Sequence, residues 1–253
     1  MSYFIRNLSA ADTRYIDEVC QLLATSYDLQ ISEFLIYRDK NYKEHLIRSL
    51  SSSSDFVHIA LSADGDLLGF AQVRILENTL FLNNIIIKQQ FRGASLASGL
   101  LRFMINEANI DGRGIDSFAL DVFEKNAGAL KWYQRLGMQM RSTRFWYDLT
   151  NAYAEVTVMH GSAEVSATKD EAGFVQVYSG DLRIGTLIAG NKLVMRAEIG
   201  SDVLQGLKRY FGNSLEGLCL ITDSKLTYPL IDRSFQLQVR LNDLKLHDGS
   251  KEA

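Results

Sequence analysis

Apolar residues recur along the chain in two rhythms, and the switches between them divide it into short elements. YFIRNL (3–8) alternates as a first strand. From Ile16 the apolar positions Ile16, Val19, Cys20, Leu23 and Tyr27 fall at helical spacing. Tyr42, Leu46 and Leu50 predict a second, shorter helix that runs into the polar break Ser51–Ser54. DFVHIALS (55–62) alternates as a strand, ADGD (63–66) is a turn, and DLLGFAQVRIL (66–76) returns as the second arm of a hairpin. TLFLNNIIIK (79–88) continues the meander, and its Ile85-Ile86-Ile87 run predicts burial on both faces.

After Arg92-Gly93 the positions Leu96, Leu100, Met104 and Ala108 mark a helix, which the glycines of IDGRG (110–114) end. SFALDVF (117–123) predicts a strand, 126–136 a short helix stopped at Gly137, and MQMRSTRFWYDL a further strand or two. Strand, helices, meander, then strand and helix in alternation make a mixed sheet, not a pure βαβ array. Beyond 150 the texture changes. AEVTVMH (154–160), FVQVYSG (174–180), LRIGTLIA (182–189) and KLVMRAEI (192–199) read as short strands. A helix over Val203, Leu204, Leu207 and Phe211 follows, then strands at GLCLITD (217–223) and FQLQVRL (235–241). A boundary near 148–153 gives a first domain over 1–150 and a β-rich one over 151–253. The order meander, helix, strand in the second echoes the first, which leaves an internal half-repeat open.

Composition narrows the picture without naming a chemistry. The 253 residues suit two modest domains, and 47% hydrophobic content supports a core. No apolar run is long enough to cross a bilayer. MSYFIRNLSAADTR lacks the basic-then-apolar form of a signal peptide, so a cytoplasmic location is expected. Cys20 and Cys219 are far apart, and the four histidines show no ligand spacing, so no metal is expected. The net charge of −3 gives no push toward nucleic acid.

Two stretches carry chemistry. In QQFRGASLASGLL (89–101) an Arg-Gly turn joins a strand to a helix start, where unpaired N–H groups and the helix dipole make an anion site. Gly93, Ala94, Ser95 and Ala97 are small enough to let a phosphate approach, and Arg92 adds a cation. Close helix packing would explain the same small residues. The second stretch is LDVFEKNAGALKWYQRLGM (120–138). Asn126 could cap a helix, Tyr133 could be core, and Gly137 could be a stop. Together, Asn-x-x-Ala-x-x-x-Tyr-x-x-x-Gly directly after a strand is a more demanding pattern.

On these residues the sequence resembles the GNAT superfamily of acyl-CoA-dependent N-acyltransferases. Arg92-Gly93-Ala94-Ser95-Leu96-Ala97 matches the family's Arg/Gln-x-x-Gly-x-Gly/Ala turn, with Ser95 in place of the usual glycine. Asn126, Ala129, Tyr133 and Gly137 match its later pattern. The resemblance covers about three-fifths of the chain and implies an α/β (mixed α+β) fold: a mixed sheet flanked by helices over 1–150. The smaller β-rich remainder is then a degenerate second half, or an accessory domain for the acceptor cleft or dimerisation.

The resemblance further implies acetyl transfer from acetyl-CoA to a primary amine of a small molecule or peptide by direct attack. The strands at 80–88 and 117–123 would splay, with pantetheine against the main chain of Ile85, Ile86 and Ile87. The pyrophosphate would meet the amides of 92–97. Asn126 and Ala129 would border the cofactor, and Tyr133 would stand near the sulfur as the acid. A phenol near pKa 10 lies above a thiol near 8.5, so a hydrogen bond to developing charge is the easier role. Glu77, Asp121 and Glu124 are the candidate bases. Tyr27, Asp28, Glu33, Tyr37 and the late aromatics Phe145, Trp146 and Tyr147 are candidates for an acceptor mouth, with Tyr27, Glu33 and Tyr147 foremost. The alternative is a noncatalytic acyl-CoA-binding module, motivated by Ser95. Acetyl-CoA as co-substrate, an amine acceptor and a second copy of the chain complete the expected partners.

Overall fold

A computed structural model describes residues 2–93, 95–110, 112–159, 161–196 and 200–246. The chain forms two compact units, each gathered from separate stretches. Met1–Ser26, His45–Ser142 and Phe235–Ala253 make the first; Tyr27–Glu44 and Thr143–Ser234 make the second.

The first unit is built on strands β1 (Tyr3–Asn7), β2 (Asp55–Ser62), β3 (Leu67–Leu76), β4 (Thr79–Ile87) and β5 (Ser117–Phe123). β1 through β4 pair antiparallel in sequence order, and β5 lies parallel to β4. Helix α1 (Thr13–Thr25) buries Ile16, Val19 and Leu23, the spacing that the sequence shows. Asp12, just before it, takes two hydrogen bonds from the Arg6 guanidinium at 2.8 and 2.9 Å, tying the helix start to β1. That contact holds the Asp12 carboxyl well below the usual carboxylate range. Two short helices follow in the chain: α2 (Leu29–Ser32), which belongs to the second unit, and α3 (Tyr42–Ser49), which belongs to the first from His45 on.

Helix α4 (Leu96–Ile110) makes the parallel crossover from β4 to β5. Its Leu96, Leu100, Leu101 and Met104 join Leu80, Leu82, Phe118 and Leu120 in the core. A Cβ on Gly99 would collide with the Tyr3 hydroxyl, so glycine lets α4 settle on the sheet. Helix α5 (Ala127–Arg135) packs on the same core through Tyr133, and Gly137, at φ +89°, ends the turn that follows it.

The second unit repeats this plan with fewer parts. The sequence continues through β6 (Gln139–Asp148) and α6 (Thr150–Ala154) to β7 (Val165–Lys169), β8 (Val175–Ser179), β9 (Leu182–Ile188) and β10 (Lys192–Met195). β7 to β10 form an antiparallel meander. Helix α7 (Ser201–Phe211) then crosses to β11 (Gly217–Thr222), parallel to β10. The last strand is β12 (Leu230–Arg240).

The late strands are exchanged. In the first unit β12 lies beside β5, and Phe235, Leu237 and Val239 enter that core. In the second unit β6 lies beside β11, with Cys219 opposite Asp148 and Thr222 opposite Phe145. The stretch 154–160, expected as a strand, is instead the end of α6 and a segment without regular structure up to Met159; His160 lies outside the described residues. Thr150 N–H bonds Asp148 Oδ1 at 2.9 Å to start the helix, and the buried Tyr153 hydroxyl donates to Gly212 O at 2.7 Å. Those anchors use the chain locally and leave the alternating residues after Ala154 without a strand partner. No helix among the described residues is long and apolar enough to cross a membrane.

Candidate active site

The β4–β5 ladder stops halfway. Thr79 pairs with Ser117, Leu80 with Phe118, Phe81 with Ala119 and Leu82 with Leu120. Beyond that point β4 continues to Ile87 and β5 to Phe123 with no further pairs in register. Buried main-chain groups need partners, so the gap between these strands suits a ligand with an extended, amide-bearing arm. On its other side β4 bulges at the same place. Leu82 faces Val73 and Asn84 faces Gln72, which leaves Asn83 as the extra residue. A bulge bends its strand and sharpens the twist. Ile85, Ile86 and Ile87, the residues expected to meet pantetheine, all lie on the stretch that has left β5.

β4 leads through a 3-10 turn, Gln89–Phe91, to the Arg-Gly turn. Arg92 Nε donates to Ile87 O at 3.2 Å, folding the guanidinium over the end of β4. Lys88 and Glu18 pair at 2.8 Å and tie α1 to the same place. Gly93 has φ +84° and open space where a Cβ would stand. Ala94 lies outside the described residues. Ser95 has φ +55°, and its carbonyl accepts the Gly99 N–H at 2.9 Å. The left-handed region costs a serine about 1–2 kcal/mol, where glycine would sit freely. Leu96 is buried and can offer a ligand only its backbone; Ala97 is half-buried. A helix start with left-handed residues before it turns N–H groups toward one concavity. With Arg92 alongside, these residues fit a diphosphate.

From the end of β5 the chain enters α5. Asn126 Oδ1 accepts from Ala129 N at 3.2 Å, so its capping role is real, and it leaves the Asn126 amide as a donor. Tyr133 is 6% exposed, and burial pushes its phenol above the ordinary value. It stays neutral and can donate a hydrogen bond, but it is a poor proton source. It shares one core with Ile85, Ile87, Val122 and Ala129. Asp121 is the exposed position of β5, and Glu124 is half-buried just past its end.

Other expected site residues are elsewhere. Glu77, at φ +54°, forms the β3–β4 turn, at the paired end of β4 and away from the gap; its geometry serves the hairpin. Tyr27, Glu33 and Tyr147 belong to the second unit, whereas the cofactor residues belong to the first. Tyr27 stacks on Tyr37 with ring centroids 5.4 Å apart. Glu33 pairs with Lys192 at 3.0 Å. Tyr147 is 3% exposed and its hydroxyl accepts from Leu226 N at 2.8 Å, so it is a core residue and not part of an open mouth.

The bulge residues Asn83 and Asn84 escaped the sequence reading, although a signal was present. Leu80 and Leu82 keep one phase, and Ile85 and Ile87 resume it one residue late, across the Asn-Asn doublet.

Comparisons with known proteins agree with this geometry. The family model described as "Acetyltransferase (GNAT) family" matches residues 16–138. A spermidine N(1)-acetyltransferase of Thermoplasma acidophilum is 26% identical over 151 residues, covering 56% of this chain and 92% of that protein. A [ribosomal protein bS18]-alanine N-acetyltransferase of Salmonella typhimurium is 26% identical over 105 residues, covering 41% of this chain and 70% of that one. A tandem GNAT protein from the clavulanic acid biosynthesis pathway shares the fold over 94% of this chain and 98% of its own, with a TM-score of 0.67 at 12% identity. That likeness extends the GNAT-like fold to the second half.

Proposed function

Given that residues 16–138 are a domain of the GNAT superfamily, we propose that the first unit transfers an acetyl group from acetyl-CoA to a primary amine. The observation that carries this reading is the β4–β5 gap, which runs from the diphosphate cradle at 92–97 toward the core that holds the Tyr133 phenol. Main chain at 84–87 would bond the pantetheine amides, and the Asn126 amide would border the arm. The amine nitrogen attacks the thioester carbonyl, the C–S bond breaks, and the sulfur leaves as thiolate. With its acidity weakened by burial, Tyr133 stabilises that developing charge by donating a hydrogen bond, not by giving up its proton outright. Of the three candidate bases Glu77, Asp121 and Glu124, Asp121, exposed on β5 just past the last paired residue Leu120, is the one assigned to take the amine's proton through water.

The acceptor is a small-molecule or protein amine, the two classes that the names of the relatives describe. Ser95 favours a second reading, a module that holds acyl-CoA without turnover, because its strained φ weakens the cradle. Tyr133→Phe separates the two. In the enzyme it lowers kcat by about a hundredfold while calorimetry finds the same acetyl-CoA affinity. Equal kcat in Tyr133→Phe would remove the phenol from the mechanism, and wild-type binding without turnover on a panel of amines would favour the module.

A further inference from the structure

Two carboxamides are buried in the first unit's sheet, where apolar side chains would pack without cost. Gln72 is 5% exposed and Asn84 is 4% exposed. They face each other at the first paired position past the bulge, and Asn84 Nδ2 donates to Gln72 Oε1 at 3.0 Å. A buried polar pair of this kind costs more to break than it contributes when made, so it discriminates between registers.

The register shows what it discriminates. Leu80, Leu82, Ile85 and Ile87 pair with Ile75, Val73, Ala71 and Gly69, and the apolar members all pack in the core that α4 and α5 cover. Asn84 and Ile86, opposite Gln72 and Phe70, turn to the other face. Without the bulge, every residue past Leu82 slips by one and changes face. Asn83 would then meet Gln72, and Asn84 would be driven into the apolar core opposite Ala71. An amide buried there without a partner loses its hydrogen bonds to water and gains none in return. A straight β4 would also run on beside β5, since the ladder ends where the bulge begins.

We propose that Asn84, held by Gln72, is a positioning residue that fixes the bulge and thereby keeps β4 and β5 apart for the cofactor. This rests on the acetyltransferase reading only in naming what fills the gap. Asn84→Leu removes the obstacle to the straight register, because Leu80, Leu82, a leucine at 84 and Ile86 then alternate without a break. The variant folds with a melting temperature near that of the wild type. Its β5-facing amides over 83–87 become protected from hydrogen exchange, and coenzyme A binds about tenfold more weakly or worse by calorimetry. Asn84→Gln keeps the carboxamide and retains wild-type exchange and affinity. Deletion of Asn83 removes the extra residue while leaving Asn84 opposite Gln72, and it must zip the same amides even if Asn84→Leu fails to fold. A folded Asn84→Leu or deletion variant with wild-type exchange and affinity would overturn the proposal. Absence of coenzyme A binding by the wild type would instead sink the acetyltransferase reading, while the exchange comparison would still judge the latch.

Discussion

The β4–β5 and β10–β11 pairs share a topology and differ at the one place that matters for a cofactor. Each is a parallel pair joined by a helical crossover after an antiparallel meander. β4 runs past the end of its ladder, bulged and open. β10 is only four residues long, and each of them, Lys192 to Met195, pairs with β11. The helix starts differ in the same sense. Arg92 precedes α4, whereas α7 follows Gly200 and carries Asp202 in its first turn. A Cβ on Gly200 would meet the Asp202 carboxylate, so that acid already occupies the space by the helix end. An acid there complements the helix dipole and stabilises α7, but it repels a phosphate. The lesson is that the shared fold does not make the site; overhang, bulge and the sign of one charge do.

The sharpest way to break this comparison is to give both helix starts an acid. Gly93→Asp puts a negative charge in the cradle and lowers coenzyme A affinity by about a hundredfold or more, since opposed like charges cost several kcal/mol. Gly200→Asp leaves affinity unchanged. Calorimetry on both variants decides, and the reverse result would move the cofactor to the second unit.

Acid provides a second asymmetry. His58, in β2, is buried between strand and α4, with its Nδ1 3.2 Å from Glu107 Oε2 and its ring edge-on to Phe103. Burial pushes the imidazole down to about 4. An unfolded histidine titrates near 6.5, so the unfolded chain takes the proton first as pH falls. The first unit therefore loses stability as pH falls from about 6.5 toward 4, by about 3 kcal/mol at most. His58→Gln flattens this slope, read by unfolding across pH with site-resolved exchange. A slope unchanged by the substitution would show that the imidazole is not its source.

Ser95→Gly is the smallest test. Relief of the left-handed strain, less glycine's extra unfolded freedom, stabilises the first unit by about 0.5–1 kcal/mol and tightens coenzyme A a few-fold. Asn191→Gly relieves a similar φ of +51° in the β9–β10 turn and changes stability alone. An affinity gain in Asn191→Gly, or none in Ser95→Gly, would uncouple strain from the cradle.

Much of this was legible in the sequence where the signal is local. Strands 55–62 and 117–123 fall where their patterns put them. The Arg-Gly turn and the Asn126-to-Gly137 pattern mark the two sides of the gap. β7 is a weak signal in the sequence because VSATK is short and largely exposed, with only Val165 and the small Ala167 on its apolar side. The Ile85–Ile87 run looked buried on both faces, yet Ile85 and Ile87 are only half-buried, because no neighbouring strand covers them where the ladder has ended. The exchange of β6 and β12 was invisible, since a strand's pattern reports which face is apolar and not which distant strand it joins.

The central claim is that the gap between β4 and β5 receives coenzyme A. Amide exchange with and without saturating coenzyme A tests it residue by residue. The account predicts new protection at 84–87, at 92–97 and at the start of α5, with β10 and α7 unchanged. Unchanged exchange along β4 in a saturated sample, or new protection at β10 and α7 instead, would contradict it.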